Sequence, residues 1–359
     1  MASIDFHKLR VMEVKRETPD AVSVRLDVPE HLRATFAFRA GQHLTFRREI
    51  GGEEVRRNYS LCVSPSEGLL KIGVKKIAGG AFSGWVNSGL KAGDEVEVMA
   101  PHGSFCWSFD AAARNEYVAF AGGAGITPVL SLIKTALAME PRSRFTLFYG
   151  NRNSLSVMFL EEIAGLKDRY LDRLSIYHFL EEEEEEIDLF NGRLDRAKTD
   201  DILSTLVRAE NVDAFFICGP GPMMDAIEEA LLARKVAKSR IMIERFTTGP
   251  LSAAQAAAAR VLEEKAAGLK MSVTLNGRRV QVAFDPAKHS ILDNVRAAGL
   301  PAPFACKGGV CATCRAKVTA GEVSMKVNYG LSEQELADGY VLTCQATPVT
   351  EGVALTYDS

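Results

Sequence analysis

Three cysteines fall within "CKGGVCATC", at Cys306, Cys311 and Cys314, and a fourth, Cys344, follows in "VLTCQATP" after 29 intervening residues. A structural zinc tetrahedron usually draws its thiolates from two separated knuckles of paired cysteines. Here three share one loop and the fourth stands alone. A [2Fe-2S] cluster needs two thiolates on each iron, and a tight loop plus one distant strand supplies that set. Gly308 and Gly309, lacking Cβ atoms, let such a loop wrap closely and aim its amides at cluster sulfurs. Disulfides are the competing use. The start "MASIDFHKLR" has no apolar signal segment, however, so a reducing cytoplasmic setting is expected, where clustered thiols serve metals or redox chemistry. Of the remaining cysteines, Cys62 and Cys106 read as small buried hydrophobes.

"RRNYSL" is the second chemical stretch. Tyr59 offers a flat aromatic neighbour for an isoalloxazine ring, Ser60 a polar group for its edge, and Arg57 a cation for a pyrophosphate. One strand later, in "VKKIAGGAFSGW", Gly79 and Gly80 precede an expected helix start at Phe82-Ser83, whose free amides suit an anion. Together the two stretches predict a flavin dinucleotide site; the alternative is a barrel strand followed by a tight turn. In "AGGAGITPVLSLI", Gly122, Gly123 and Gly125 admit a phosphate-bearing ligand to the backbone, Thr127 is placed to cap the helix and Pro128 to take its first position. "CGPGPMMDAI" puts Cys218 and Gly219 on the same rim, where a nicotinamide would lie. "YGNR" presents Arg152 there, either to pair with a 2'-phosphate, which favours NADPH over NADH, or as an ordinary surface arginine. "IERFTT" brings Glu244, a carboxylate for hydrogen bonding or proton relay, and Phe246, either a cover for the flavin face or a core aromatic.

Three segments of different grammar must position these residues. Residues 1–109 alternate apolar and polar over short runs separated by Gly, Pro and Asp, which predicts an antiparallel β-barrel. Residues 110–247 repeat apolar strand, turn and amphipathic helix, which predicts an α/β domain with a parallel sheet. Residues 248–269 are Ala-rich and read as a linker with helical tendency, and residues 270–359 form a compact third domain that opens with a hairpin at Asn276-Gly277. A net charge of -3 gives no basic surface for nucleic acid, and no run approaches the ~18 apolar residues a membrane span needs. The run Glu181 to Glu186 reads as a solvated loop.

With "RNYS", "GGAFS", "GGAGITP", "CGPGPMM" and "CKGGVCATC" in this order, the chain resembles the ferredoxin-NADP reductase superfamily with a carboxyl-terminal plant-type ferredoxin domain of β-grasp (α+β) fold. More narrowly, "FRAGQHLTFR", "FTLFYGNR" and "IERFTT" are similar to reductase subunits of phenylacetyl-CoA epoxygenase complexes. The resemblance implies FAD held by Arg57, Tyr59, Ser60, Lys75, Gly80, Phe82 and Ser83, and NADPH held by Gly123, Thr127, Pro128, Arg152 and Cys218. It also implies cluster ligands at Cys306, Cys311, Cys314 and Cys344. Catalytic roles fall to Tyr59, Ser60, Cys218 and Glu244. Phe246 would contact the flavin, although the chain continues past it, unlike reductases that end in a stacking tyrosine. The implied activity takes a hydride from NADPH and delivers single electrons to a di-iron oxygenase. Reductases of Rieske dioxygenases and of steroid or phenol monooxygenases share the same modules. A non-enzymatic iron-sulfur sensor, or a zinc-stabilised binding module, is the alternative of another class.

Overall fold

Alternation of apolar and polar residues carries six amino-terminal strands: β1 (Phe6–Thr18), β2 (Ala21–Leu26), β3 (His43–Ile50), β4 (Glu53–Ser60), β5 (Leu70–Lys75) and β6 (Glu95–Met99). They pair antiparallel in the order β4-β3-β6-β1-β2-β5. Leu61, just past β4, bridges Ile72 of β5, so the two edge strands meet and the sheet closes as a barrel. Leu9, Val24, Leu44, Val74 and Val98 fill its interior. Helix α1 (Ala81–Ser88) follows β5 and buries Phe82 and Val86 against that core. The computed structural model describes residues 5–246 and 253–358.

Next come β7 (Glu116–Gly122), α2 (Ile126–Met139), β8 (Arg144–Asn151), α3 (Leu160–Arg169), β9 (Leu174–Leu180), α4 (Arg196–Thr205), β10 (Ala214–Cys218), α5 (Gly221–Ala233) and β11 (Ile241–Glu244). The strands are parallel, in the order β11-β10-β7-β8-β9. One face packs on Ile126, Val129 and Ile133 of α2, the other on Ile202 and Ile227 of α4 and α5. That two-sided burial is why these strands are almost continuously apolar. Successive connections diverge at β7, so the crevice outside the carboxyl ends of β7 and β10 is the place where such a sheet takes a ligand.

Barrel and sheet are laced together. A Cβ on Gly73 of β5 would stand 2.7 Å from Thr127 Cγ2. The Ser131 hydroxyl donates to the Val63 carbonyl at 2.6 Å, and Lys71 Nζ donates to Glu162 at 3.0 Å. The chain accordingly divides into two compact units between Glu244 and Arg245, with barrel and parallel sheet in the first.

In the second unit, α6 (Ala253–Lys265) precedes β12 (Lys270–Leu275), β13 (Arg278–Ala283), α7 (Ile291–Ala297), β14 (Arg315–Ala320), β15 (Val323–Met325), α8 (Glu333–Ala337), β16 (Tyr340–Leu342), β17 (Ala346–Pro348) and β18 (Val353–Thr356). The main sheet runs β13-β12-β18-β14-β16, with β12 and β18 parallel. Ile291, Leu292 and Val295 of α7 lie in its core with Met271, Val273 and Leu355. At the hairpin, Asn276 and Gly277 both have positive φ, 52° and 71°, and the Asp358 carboxylate accepts their amides at 2.6 and 2.8 Å. Of the expected linker, residues 248–252 lie outside the described residues. The rest is mostly helix, and Glu263 in its last turns is buried, with Lys326 Nζ at 2.5 Å and His289 Nδ1 at 2.8 Å. Among the described residues no helix is long and apolar enough to cross a membrane.

Candidate functional site

The cysteine loop folds back on itself through positive φ at Lys307 (51°), Gly309 (75°) and Ala312 (53°). A Cβ on Gly309 would press on Gln345 Cγ at 3.0 Å and Val327 Cγ2 at 3.1 Å, so both backbone and space call for glycine there. The loop's amides turn toward its sulfurs. Gly308 N–H donates to Cys306 Sγ at 3.3 Å, Cys311 N–H to Cys306 Sγ at 3.5 Å, and Cys306 N–H to Cys311 Sγ at 3.5 Å. The thiols interact as two pairs, Cys306 with Cys311 and Cys314 with Cys344. Within each pair one sulfur is favoured as thiolate. The Cys311 thiol and the loop amides hold Cys306 at about 5, and the Cys314 thiol lowers Cys344. Among the described residues no three His, Cys, Asp or Glu side chains gather as around a single ion. Beside Cys311, the buried Thr313 hydroxyl has no nitrogen or oxygen partner. Two thiol pairs, inward amides and a hydroxyl turned to the Cys311 sulfur fit a [2Fe-2S] cluster.

At the end of β4, Tyr59 packs its ring against Phe46 and Phe82, with centroids 5.8 Å away in each case. Burial raises its hydroxyl pKa, and the Arg57 charge opposes this. Arg57 is exposed and donates to the Arg56 carbonyl at 2.7 Å. The Ser60 hydroxyl is buried without a partner. Gly80 precedes α1 and carries no side-chain cap; a Cβ there would meet Ser83 Oγ at 2.6 Å. Ser83 Oγ accepts the Ile77 amide at 3.1 Å, and the Phe82 ring lies in the barrel core. What Phe82 and Ser83 offer a phosphate is therefore backbone N–H. The orphaned Ser60 hydroxyl and the uncapped α1 amides fit a flavin dinucleotide.

The sheet edge is built backbone against backbone. A Cβ on Gly125 would stand 2.0 Å from the Cys218 carbonyl oxygen, and one on Gly122 would stand 2.6 Å from Pro220 Cδ. The loops after β7 and β10 thus cross at contact distance. Gly123 has φ 51°, and its carbonyl accepts the Tyr149 hydroxyl at 3.1 Å. Thr127 does not cap α2. A 3-10 turn over Gly123–Gly125 winds straight into the helix and leaves no extended capping residue, so the Thr127 hydroxyl donates to the Ala124 carbonyl at 2.9 Å. Pro128 is likewise not first but third in α2, and is buried.

Cys218 ends β10, fully buried, in register with Ala121 on one side and Glu244 on the other. Burial and the Glu244 charge push its thiol well above the usual range. Arg152 is 59% exposed, its Nη2 lying 3.4 Å from Asp20 Oδ2, and the same carboxylate lies 3.8 Å from Lys75 Nζ. Burial lowers Lys75, Asp20 works against that and Arg152 adds to it. A Cβ on Gly123 would come within 3.9 Å of Lys75 Nζ, so Lys75, Arg152 and the glycine loop converge around Asp20. The buried Asn151 amide at the end of β8 has neither atom hydrogen-bonded. This polar, glycine-lined edge fits a nicotinamide dinucleotide. Phe246 lies past β11 in the second unit, 38% exposed.

The acidic run is less free than expected. Glu182 accepts from Asn153 at 2.7 Å and Glu183 from the Ser154 amide at 2.6 Å, bracing the loop leaving β8, while Glu181 accepts from Arg193, just before α4, at 2.8 Å. Sequence reasoning missed Asp20, Tyr149 and His43. The only local hint was "AGQH", where Gly41 takes φ 91° because a Cβ would strike the Phe105 carbonyl at 1.8 Å.

Comparison with known proteins identifies three domains. The chain matches the oxidoreductase FAD-binding domain over residues 8–107, the oxidoreductase NAD-binding domain over 120–229 and the 2Fe-2S iron-sulfur cluster binding domain over 273–349. It is 42% identical to a subunit of the 1,2-phenylacetyl-CoA epoxidase of Escherichia coli K12, covering 99% of this chain and 98% of that one. It is 36% identical to the ferredoxin reductase component of 3-ketosteroid-9-alpha-monooxygenase of Mycobacterium tuberculosis, covering 98% and 96%. Among solved structures, phthalate dioxygenase reductase shares the fold with TM-score 0.59 at 22% identity, over 98% of both chains. An intact type IV self-sufficient cytochrome P450 monooxygenase shares it with TM-score 0.72 at 21% identity; the match covers 98% of this chain but only 41% of that longer one. The chain belongs to the ferredoxin reductase superfamily, in the branch that joins FAD-binding and NAD-binding domains to a carboxyl-terminal [2Fe-2S] domain, and is an electron-transferring oxidoreductase.

Proposed function

We propose that this chain is the reductase component of an oxygenase complex acting on phenylacetyl-CoA, supplied with electrons by NADPH and working in the cytoplasm. The observation that carries the reading is end-to-end similarity, at 42% identity, to a subunit of the Escherichia coli 1,2-phenylacetyl-CoA epoxidase. When bound, FAD accepts two electrons together as hydride and releases them singly, and a [2Fe-2S] cluster carries them one at a time. In this reading the residues around Gly123, Thr127 and Pro128 seat the nucleotide, and Arg152, beside Lys75, takes its 2'-phosphate. Cys218 and Glu244 border the nicotinamide. Tyr59, Ser60, Arg57 and the α1 amides hold the flavin, and the four cysteines hold the cluster. Positioning of one carrier against the next is the main contribution of the protein. A reductase serving a steroid monooxygenase is the second reading, favoured by the 36% identity to the 3-ketosteroid component.

The test is reconstitution. The purified chain, a phenylacetyl-CoA epoxidase oxygenase component and phenylacetyl-CoA should consume NADPH and yield oxygenated thioester, with NADH run in parallel. Electron delivery that is coupled with a steroid substrate, and absent with phenylacetyl-CoA, would select the second reading.

A further inference from the structure

His43 opens β3 directly opposite Ser60 of β4, so the two side chains leave the barrel on the same face. The imidazole side chain is 6% exposed, and neither ring nitrogen has a hydrogen-bond partner. Nδ1 lies 3.5 Å from Glu244 Oε1. Glu244 in turn is in register with Cys218 and keeps its side chain 12% exposed. The ring is held edge-on to His102, with centroids 4.3 Å apart, and Gly103 makes room for it, since a Cβ there would lie 2.9 Å from His43 Nδ1. His102 Nδ1 stands 3.1 Å from the Ala100 carbonyl oxygen, which only accepts, so the proton sits on Nδ1. Burial, helped by His43, lowers His102 to about 3 and keeps it neutral. The other groups on this side are the Cys218 and Cys106 thiols, both raised by burial, and Arg39, whose charge reaches Cys106. Ser60, His43 and Glu244 thus form a polar line from the flavin strand to the sheet edge.

Oxidation of the nicotinamide releases two electrons and one proton: NAD(P)H gives NAD(P)+, H+ and two electrons. The two electrons leave one at a time through the cluster to a one-electron acceptor, in this reading the oxygenase, so the proton must leave by another way. We propose that His43 is the relay residue for that proton. Nε2 takes the proton as its bond to the reduced flavin breaks, the Nδ1–H bond breaks as its proton passes to the Glu244 carboxylate 3.5 Å away, and Glu244 hands that proton to water. The role rests on the electron-transfer reading above.

The test uses the full chain loaded with flavin and cluster, mixed anaerobically with NADPH and excess cytochrome c as one-electron acceptor, in weak buffer containing a pH-indicator dye. Wild type should release one proton per nucleotide oxidised, in step with the reduction of two acceptor molecules. His43→Gln should retain the flavin spectrum and, with the acceptor left out, flavin bleaching by nucleotide, while proton release and acceptor reduction slow at least ~10-fold, below the usual yield of a positioned acid-base group. Added imidazole should restore release in His43→Ala, which a merely structural role would not allow. Glu244→Gln, with His43 intact, should slow release similarly, and serves if His43 variants lose flavin. Wild-type release rates in either Gln variant that holds flavin would overturn the relay. Absence of flavin bleaching in wild type would instead sink the electron-transfer reading.

Discussion

The nucleotide crevice and the cysteine loop both depend on glycines, yet they are built in opposite ways. In the crevice, Gly125 lets the turn after β7 lie on the Cys218 carbonyl, and the parallel sheet brings those backbones together. In the loop, Gly309 and positive-φ neighbours bring Cys306 beside Cys311, and Cys344 from outside the loop pairs with Cys314. Packing fixes the first site, whereas in the proposed reading ligation completes the second, so damage to each should read out differently.

The largest contrast should come from Cys344→Ser. Iron content and electron delivery to a one-electron acceptor should fall at least ~100-fold, the upper end of what loss of a mere supporting residue costs. Flavin reduction by nucleotide should persist in the same preparation, as followed by anaerobic stopped flow.

Gly125→Ala inverts the pattern. Its Cβ would stand 2.0 Å from the Cys218 oxygen, so the crossing loops must part. Displacement of about 1 Å at a reacting pair costs on the order of 100-fold in rate. Flavin reduction by nucleotide should slow on that scale while the cluster spectrum is unchanged; normal reduction would mean the crossing does not set the crevice.

Arg152→Gln should act within the crevice alone. Loss of a charge-assisted bond, at roughly 1.5–3 kcal/mol, should raise KM for NADPH about 10-fold or more and leave KM for NADH nearly unchanged. Equal effects on both nucleotides would make Arg152 an ordinary surface residue.

The smallest effect concerns what joins barrel to sheet. Glu162 is bonded by Lys71 and Lys134; burial works against its charge, but the two ammonium groups prevail and lower its pKa. A lowered carboxylate pKa stabilises above the unfolded value of about 4.3 and ceases to as pH falls through the folded one. Glu162→Gln should lower the first unit's melting temperature by about 2–4 °C at neutral pH, matching ~1 kcal/mol in a domain of this size. That difference should vanish in acid. A constant difference across pH would assign the loss to packing.

The same contrast governs how much could be read from sequence. The [2Fe-2S] domain was legible because cluster chemistry constrains both the type and the spacing of its cysteines, and the parallel sheet because strands buried on both faces must be apolar throughout. Cys218 and Glu244 were legible as strand ends, but their neighbour His43 was not, because the β3–β4 register and the packing of barrel on sheet bring it there. Asp20 escaped for the same reason: it sits in the turn between β1 and β2 and meets Arg152 only across the fold. Thr127 misled because a Thr-Pro pair signals a capped helix start, whereas a preceding 3-10 turn had already begun the helix.

The most direct test of the account is anaerobic mixing of NADPH with the purified chain, following flavin absorbance and the cluster's paramagnetic signal together, in wild type and Cys344→Ser. The account predicts flavin bleaching first and cluster reduction second in wild type, and bleaching alone in the variant. A wild-type protein whose cluster stays oxidised after its flavin bleaches, or whose cysteines carry stoichiometric zinc, would contradict it.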